Sequence, residues 1–391
     1  MKIGIHVNAI PPPEFIDRLI TGLSKTEHQI WVFGTFVKKT QKTNSATYFG
    51  YSLFSFLNYS KVFHLIKYNF LLCFFRKKEK KSLDKLIRFS KKLKQDQAAF
   101  YPILWKRPDV LHVQWSASVE QFSWVQAFGI KLVVSFRGAH INYSPLADLK
   151  LADTYRQLFP KVEGFHGVSH AICKEAARYG ASMDKCRVVY SGFDLTGFPK
   201  PTPKMTLSKA TLKIVSVGRA HWKKGYHYAL DAIKILQERG ITVTYHIVGV
   251  GLDEELTFQR ADLGLLEAVV FGSKLPFQQV LETVRQADVF LLPSVEEGIA
   301  NVVIEAMLLG TPVITTNCGG MEELVTDGKT GFVVPVRNPE AIADAIIRYQ
   351  QLSLEKVNHM SAAAYDKACA QHSESQMVDG MLQLYTDVMK G

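Results

Sequence analysis

Short runs rich in valine and isoleucine recur along the chain, and between them apolar residues keep helical spacing. In the first half, residues 2–7, 29–36, 109–115, 131–136 and 187–190 read as strands. In the second half, residues 212–217, 242–248, 287–293, 312–316 and 331–335 do so. Residues 226–239, 301–309 and 339–352 read as helices; Leu230, Ile233 and Leu236 hold three-residue spacing, and Gly240 is a fitting stop. Strands alternating with helices imply parallel sheets with crossover helices. There are too many strands for one small sheet. Residues 195–211 break the pattern: Pro199, Pro201 and Pro203 stand among Thr, Lys and Ser with little apolar content, and mark a linker. The expected fold is α/β, with two Rossmann-like, doubly wound parallel-sheet domains over 1–194 and 212–374. Ligands of such domains bind at the carboxyl ends of the strands, and the cleft between the two is the expected site.

Composition narrows the class. A chain of 391 residues has room for two or three domains. With 47% hydrophobic and 21% charged residues it is neither disordered, collagen-like nor a disulfide scaffold. Cys73, Cys173, Cys186, Cys318 and Cys369 are scattered without CxxC or zinc-finger spacing, which fits a reducing cytoplasm and buried free thiols. The longest strictly apolar run of the N-terminal half, residues 70–75, is far below the ~20 residues of a spanning helix. The first residues read as a strand rather than a signal peptide.

The net charge of +11 is concentrated. Ten Lys or Arg lie between Arg76 and Lys94 against Glu79 and Asp84, a local +8. Residues 62–75 just before are rich in aromatics, and Leu83, Leu86, Ile87, Phe89 and Leu93 continue the apolar content. Three readings follow: an interfacial segment over 62–94 that meets anionic lipid, a solvated helix with one face on the core, or a nucleic-acid surface. No RNA- or DNA-binding module accompanies the patch, and no nucleic-acid partner is expected.

Chemistry-bearing residues gather in the second half. The strand 212–217 runs into Gly218-Arg219, with Lys224-Gly225 before a helix. Glycine at a strand end admits a ligand to the backbone. Arg219 and Lys224 suit a diphosphate, one as a planar fork and the other as a point charge. Glu297 and Glu305 lie eight residues apart, the first in a loop and the second inside a helix. Between them the backbone N–H groups of Gly298, Ile299, Ala300 and Asn301 offer a surface for anions or hydroxyls. Carboxylates grip vicinal hydroxyls because each oxygen accepts from an O–H. The plain alternatives are a surface loop with two solvated cations and a partly exposed helix glutamate.

Taken in order, Gly218-Arg219, Lys224-Gly225, Glu297 and Glu305, Gly310-Thr-Pro-Val-Ile-Thr and the run from Cys318-Gly-Gly-Met to Pro335 resemble the family 4 retaining glycosyltransferases of the GT-B fold. The first half matches more loosely, through residues 107–113, 168–175 and 188–194. The resemblance implies that Arg219 and Lys224 hold the donor diphosphate and stabilise it as it leaves. It implies that Glu305 binds ribose hydroxyls, and that Glu297 with Gly298 to Asn301 faces the donor sugar. Gly218, Gly249 and Lys274 would line the nucleotide pocket, and a last helix within about 375–391 would cross back to the first domain.

Two departures touch the acceptor side. Family members often carry a Gly-Gly loop after the first strand, where this chain has Asn8-Ala-Ile-Pro-Pro-Pro. They also often carry a histidine in a Phe-His-Gly motif, where this chain has Phe136-Arg137-Gly, with His140 three residues on. Asn8, Arg137 and His140 are the acceptor-side candidates, and His140 also reads as a hydrogen-bonded structural histidine. The expectation is retaining transfer of a sugar from a UDP- or GDP-sugar to a glycan or lipid-linked acceptor in bacterial surface polysaccharide synthesis, at the inner face of the plasma membrane. No Asp-x-Asp motif follows a strand, and no cofactor or obligatory metal is expected. A GT-B phosphorylase, or a non-catalytic lipid- or nucleic-acid-binding protein, are the alternatives. A nicotinamide-dependent oxidoreductase would need a fuller glycine fingerprint than Gly249-Val-Gly251.

Overall fold

The computed structural model describes residues 1–37, 44–52, 59–88, 96–206 and 210–391. They form two compact units, Met1–Phe193 with Glu374–Gly391, and Asp194–Ser373.

The first unit holds β1 (Lys2–Ile10), β2 (Gln29–Phe36), β3 (Thr47–Ser52), β4 (Val110–Val113), β5 (Lys131–Phe136), β6 (Gly164–Gly167) and β7 (Cys186–Val188). They make one sheet in the order β3-β2-β1-β4-β5-β6-β7, and every pairing is parallel. The strand order reverses between β1 and β4. Alternation of side chains across the pleat explains the two cores. Leu111, Val113, Leu132 and Val134 pack in one layer with Phe100 and Phe122. Val110 and Val133, from between them, pack in the other with Ile16, Leu19 and Ile20. The helix Glu374–Lys390 closes that second layer with Met377, Met381, Leu384, Tyr385 and Val388. Each such side chain contributes about 1.5–3 kcal/mol on full burial.

The second unit holds β8 (Leu212–Val217), β9 (Val243–Val248), β10 (Val269–Gly272), β11 (Val289–Leu292), β12 (Val313–Thr316) and β13 (Phe332–Val334), again all parallel, in the order β10-β9-β8-β11-β12-β13. Its reversal lies between β8 and β11. β11 and β12 are buried along their whole length, as central strands covered on both faces must be. The prolines of 195–211 do not leave that stretch loose. Lys204 exchanges backbone hydrogen bonds with the Asn358 side chain at 2.8 and 3.0 Å, and the Tyr365 hydroxyl donates to the Phe198 carbonyl at 3.0 Å. Residues 207–209 of the stretch lie outside the described residues.

Three strands escape the sequence pattern. β6 is Gly-Phe-His-Gly, β3 is largely polar or glycine, and β10 is four residues long. β3 and β10 carry β-forming residues but are too short or too broken by glycine to show a pattern, and β6 is held extended by its neighbours in the sheet. The cysteines also differ from expectation. All five are free, but only Cys173 and Cys318 are buried, whereas Cys73 is exposed and Cys186 and Cys369 are intermediate.

The basic and aromatic segment forms the helices Tyr59–Phe75 and Lys77–Ile87. Tyr68, Leu72, Leu83 and Ile87 pack on the core. Val62, Ile66, Phe70 and Phe74, four residues apart, stand 50–71% exposed, as does Phe63 beside them. Phe89, Leu93 and the cations Lys91, Lys92 and Lys94 lie outside the described residues. No helix of the described residues is long and apolar enough to cross a membrane.

Candidate active site

The loops after β8, β11 and β12 interlock at the second unit's switch point, and two glycines make that possible. After β8, His221 accepts from the Lys223 amide and opens a single helical turn, Trp222–Lys224. Gly225 ends the turn at φ 64°, and a Cβ there would sit 2.1 Å from the Pro293 carbonyl oxygen. Only glycine has both the conformation and the clearance. On the other side Gly319, at φ 52°, lies so close to the Glu297 carbonyl that a Cβ would stand 1.7 Å from its oxygen. Backbone bonds fasten the arrangement, from Val295 N to the Lys223 carbonyl at 2.7 Å and from Gly320 N to the Gly298 carbonyl at 3.1 Å.

Glu297 is thereby held beneath the surface, 7% exposed. Lys224 Nζ donates to its Oε1 at 2.6 Å, Ser294 Oγ donates to the same oxygen at 3.2 Å, and Lys223 Nζ stands 3.5 Å from Oε2. Burial pushes this carboxyl up. The charges of Lys224 and Lys223 and the hydrogen bonds from Lys224 and Ser294 outweigh it and hold the group below the ordinary carboxylate range. His221 is displaced downward by partial burial and by Arg219, Lys223 and Lys224, so the loop's imidazole is neutral while its cations are not.

Arg219 is exposed and forms no ion pair among the described residues. Gly218 and Gly249 adjoin, since a Cβ on Gly249 would lie 3.1 Å from the Gly218 carbonyl oxygen. The helix Asn301–Leu308 begins without a side-chain cap at Ala300. The amides of Gly298, Ile299, Ala300 and Asn301 bond to no acceptor among the described residues. Glu305 is 7% exposed on that helix and has a partner. Lys274 is exposed after β10. The structure thus brings Lys224 and Glu297 into contact and sets Arg219, Gly218 and Gly249 around the same strand ends. It ties neither Lys274 nor Glu305 to that ion pair. Lys223 and Ser294 were not foreseen. Lys223 is visible only as the neighbour of Lys224, and no pattern distinguishes Ser294.

In the first unit, Asn8 is exposed on β1. Arg137 donates to Gln114 Oε1 and lies over the Phe15 ring, 5.0 Å from its centroid. His140 is half-buried and edge-on to Trp115 at 6.0 Å, its carbonyl accepts from Tyr155 at 3.0 Å, and burial lowers its pKa. No group of three or more His, Cys, Asp or Glu side chains suited to a metal occurs among the described residues.

Cations and open amides can take an anion, and carboxylates beside them can take hydroxyls. Two parallel-sheet units, the second so equipped at its switch point, define the GT-B class of enzymes. Residues 202–367 match the family described as glycosyl transferases group 1, and residues 14–196 match glycosyltransferase family 4. The chain belongs to the family 4 glycosyltransferases of the GT-B fold. It is 32% identical over 257 residues to WcaL of Escherichia coli K12, named as a colanic acid biosynthesis glycosyltransferase, covering 63% of this chain and 62% of that protein. It is 29% identical over 243 residues to the amylovoran biosynthesis glycosyltransferase AmsK of Erwinia amylovora, covering 60% and 58%. The matches thus span about three fifths of these relatives' length. Among solved structures, HepE of Anabaena in complex with UDP-glucose superposes with a TM-score of 0.71 at 17% identity over 99% of both chains. Sucrose-phosphate synthase of Thermosynechococcus elongatus gives 0.74 at 17% identity over 100% of this chain and 99% of its own.

Proposed function

We propose that this chain moves a sugar, with retention of anomeric configuration, from a UDP- or GDP-sugar to a glycan or lipid-linked acceptor in surface polysaccharide biosynthesis. The observation that carries the reading is the Lys224–Glu297 contact at the β8/β11 switch point, with the Arg219 guanidinium exposed beside it. Arg219 and Lys224 take the donor diphosphate and stabilise the charge that grows on it as the glycosidic bond opens. The amides from Gly298 to Asn301 and the Glu297 carboxylate meet the donor sugar, and Glu305 accepts ribose hydroxyls. Gly218 and Gly249 clear the approach, and Lys274 borders it. Attack comes from the face the diphosphate leaves, with a leaving-phosphate oxygen receiving the acceptor's proton.

The names of WcaL and AmsK support the polysaccharide setting, and the UDP-glucose complex of HepE supports a nucleotide-sugar donor. With lysine and arginine neutralising the diphosphate, the reaction has no obligatory divalent ion. The apolar stripe of the helix Tyr59–Phe75 and the lysines that follow it dock the enzyme on anionic lipid at the inner face of the plasma membrane. The direct test is hydrolysis of UDP-, GDP- and ADP-sugars by the purified protein, with and without excess EDTA. One UDP- or GDP-sugar is expected to be consumed at equal rates in both. Sugar phosphate released from an added glycan only in the presence of inorganic phosphate, with no nucleotide sugar consumed, would make the protein a phosphorylase. Loss of activity in EDTA, restored by Mg²⁺ or Mn²⁺, would overturn the metal-free mechanism.

A further inference from the structure

In the first unit β1, β4 and β5 are neighbours, and the order reversal falls between the first two. Open parallel sheets receive ligands at the carboxyl ends of such strands. Gln114 follows β4 there and Arg137 follows β5. Each keeps a buried polar atom with no partner: Gln114 Nε2 and Arg137 Nε. Gln114 is 0% exposed, so its amide nitrogen has no water to fall back on.

The guanidinium is the centre of this cluster. Its hydrogen-bond partner among the described residues is Gln114 Oε1, and its face covers Phe15. No carboxylate of the described residues forms an ion pair with it. Burial lowers its pKa to about 10, which still leaves it charged at neutral pH. Arg137 is half-buried with its Nε fully covered, and a cation so placed without a carboxylate, beside a buried amide donor without an acceptor, is open to an anionic ligand. The polar groups left over on Arg137 and Gln114 are donors only. Phe15 itself belongs to the helix Glu14–Ser24, which starts behind Pro13 with no side-chain cap. A sugar hydroxyl would bring a proton of its own and no charge. An acceptor-only, negatively charged group answers both deficits.

We propose that Arg137 and Gln114 bind an anionic oxygen group, a phosphate or a carboxylate, carried by the acceptor. The site itself stands on the first unit alone. The word acceptor rests on the transferase reading above. An enzyme built this way prefers an acceptor that carries a negative charge, and its arginine is the residue that sets this preference.

The test uses the full-length chain carrying Arg219→Ala, which weakens the other anion site, with inorganic phosphate and glucuronate as probes in titration calorimetry and thermal melts. At least one probe is expected to bind and raise Tm. Arg137→Gln should weaken that binding at least tenfold without lowering the Tm of the probe-free protein, because the charge it removes has no ion-pair partner among the described residues. Gln114→Leu should weaken it with the arginine still present. Phosphate without glucuronate assigns a phosphate-bearing acceptor, and the reverse assigns a uronic acid. If Arg137→Gln binds both probes as before and melts earlier, the arginine is structural and the proposal is overturned. If, with Arg219 intact, Arg137→Gln loses UDP affinity tenfold, the anion belongs to the donor and the acceptor assignment is overturned. A wild-type chain that hydrolyses no nucleotide sugar, yet binds phosphate through Arg137, would sink the transferase reading and leave this site standing.

Discussion

Arg219 and Lys224 come from one loop but sit in different surroundings. Arg219 is exposed, whereas Lys224 is largely covered and bonded to the buried Glu297 carboxylate. Removing one charge-stabilising group typically costs on the order of 100-fold in turnover, so both alanine variants should lose about that much. Their stabilities should part. Arg219→Ala leaves nothing buried unpaired, and its urea midpoint should match the wild type. Lys224→Ala removes the ammonium hydrogen-bonded to Glu297 and leaves that largely buried carboxylate with Lys223 at 3.5 Å, so its midpoint should fall. Paired Lys224→Met and Glu297→Leu changes should recover much of that stability and none of the turnover. Equal midpoints for the two single variants would show that the ion pair is not what fixes Glu297. The apolar pattern made legible that Arg219, Lys224 and Glu297 lie in the loops after β8 and β11 and Glu305 inside the following helix, because strand and helix order fixes those places in the chain. Lys223, Ser294 and Gln114 were not legible. Their roles arise from which loop the fold lays against which, and a single sequence carries no record of that.

Among elements, the helix Glu374–Lys390 is fastened to the first sheet by a chain of buried polar groups as well as by its apolar stripe. Tyr385 Oη lies 2.7 Å from His112 Nδ1, His112 Nε2 2.7 Å from Ser135 Oγ, Ser135 Oγ 2.8 Å from His166 Nδ1, and His166 Nε2 2.9 Å from the Val189 carbonyl. A carbonyl can only accept, so His166 Nε2 carries a proton. With both rings neutral, every other proton then follows: Ser135 donates to His166, His112 to Ser135, and Tyr385 to His112. Burial lowers the pKa of His166 to about 3, with Arg137 adding to it, and places His112 well below its ordinary value. His6, against Phe122 on the other face of the sheet, also falls to about 3 through burial. These rings bind protons more readily unfolded than folded. Stability is therefore full above pH 6.5 and declines as pH falls from there toward 3. Urea unfolding at pH 7.5, 6.5 and 5.5 should show a decline reaching about 1 kcal/mol per pH unit for each ring. His6→Phe should remove part of the slope, the rest remaining with His112, His166 and His64, which burial also lowers. A flat profile would mean that the rings are not held neutral. Strands such as β5 and β8 were readable in advance from their apolar runs. β6 was not, because His166 and two glycines serve the polar chain and close packing rather than strand propensity.

For the whole molecule the decisive quantity is where the charge sits. The helix Tyr59–Phe75 turns Val62, Phe63, Ile66, Phe70 and Phe74 outward, and the next helix exposes Lys77, Lys78, Lys81 and Lys85. Lys80 is different, since its ammonium is bonded to Asp84 at 2.6 Å and has less to offer a partner. Apolar rings able to enter the headgroup layer next to free ammonium groups match an anionic bilayer, where each Lys near the surface is worth about 1 kcal/mol and the attraction fades within a Debye length. Four lysines therefore give roughly 4 kcal/mol from charge alone. The protein should co-sediment with vesicles containing anionic lipid at low salt, less so at high salt, and poorly with neutral vesicles. Lys77→Ser, Lys78→Ser, Lys81→Ser and Lys85→Ser together should release it. Lys80→Ser with Asp84→Ser should barely change binding, because together they remove the pair without altering the local net charge. Phe70→Ser with Phe74→Ser should weaken binding without altering its salt dependence, which separates insertion from attraction. If the wild-type chain ignores anionic vesicles at low salt, or if the apolar stripe instead joins two copies in solution, the membrane reading fails and the acceptor is a soluble one.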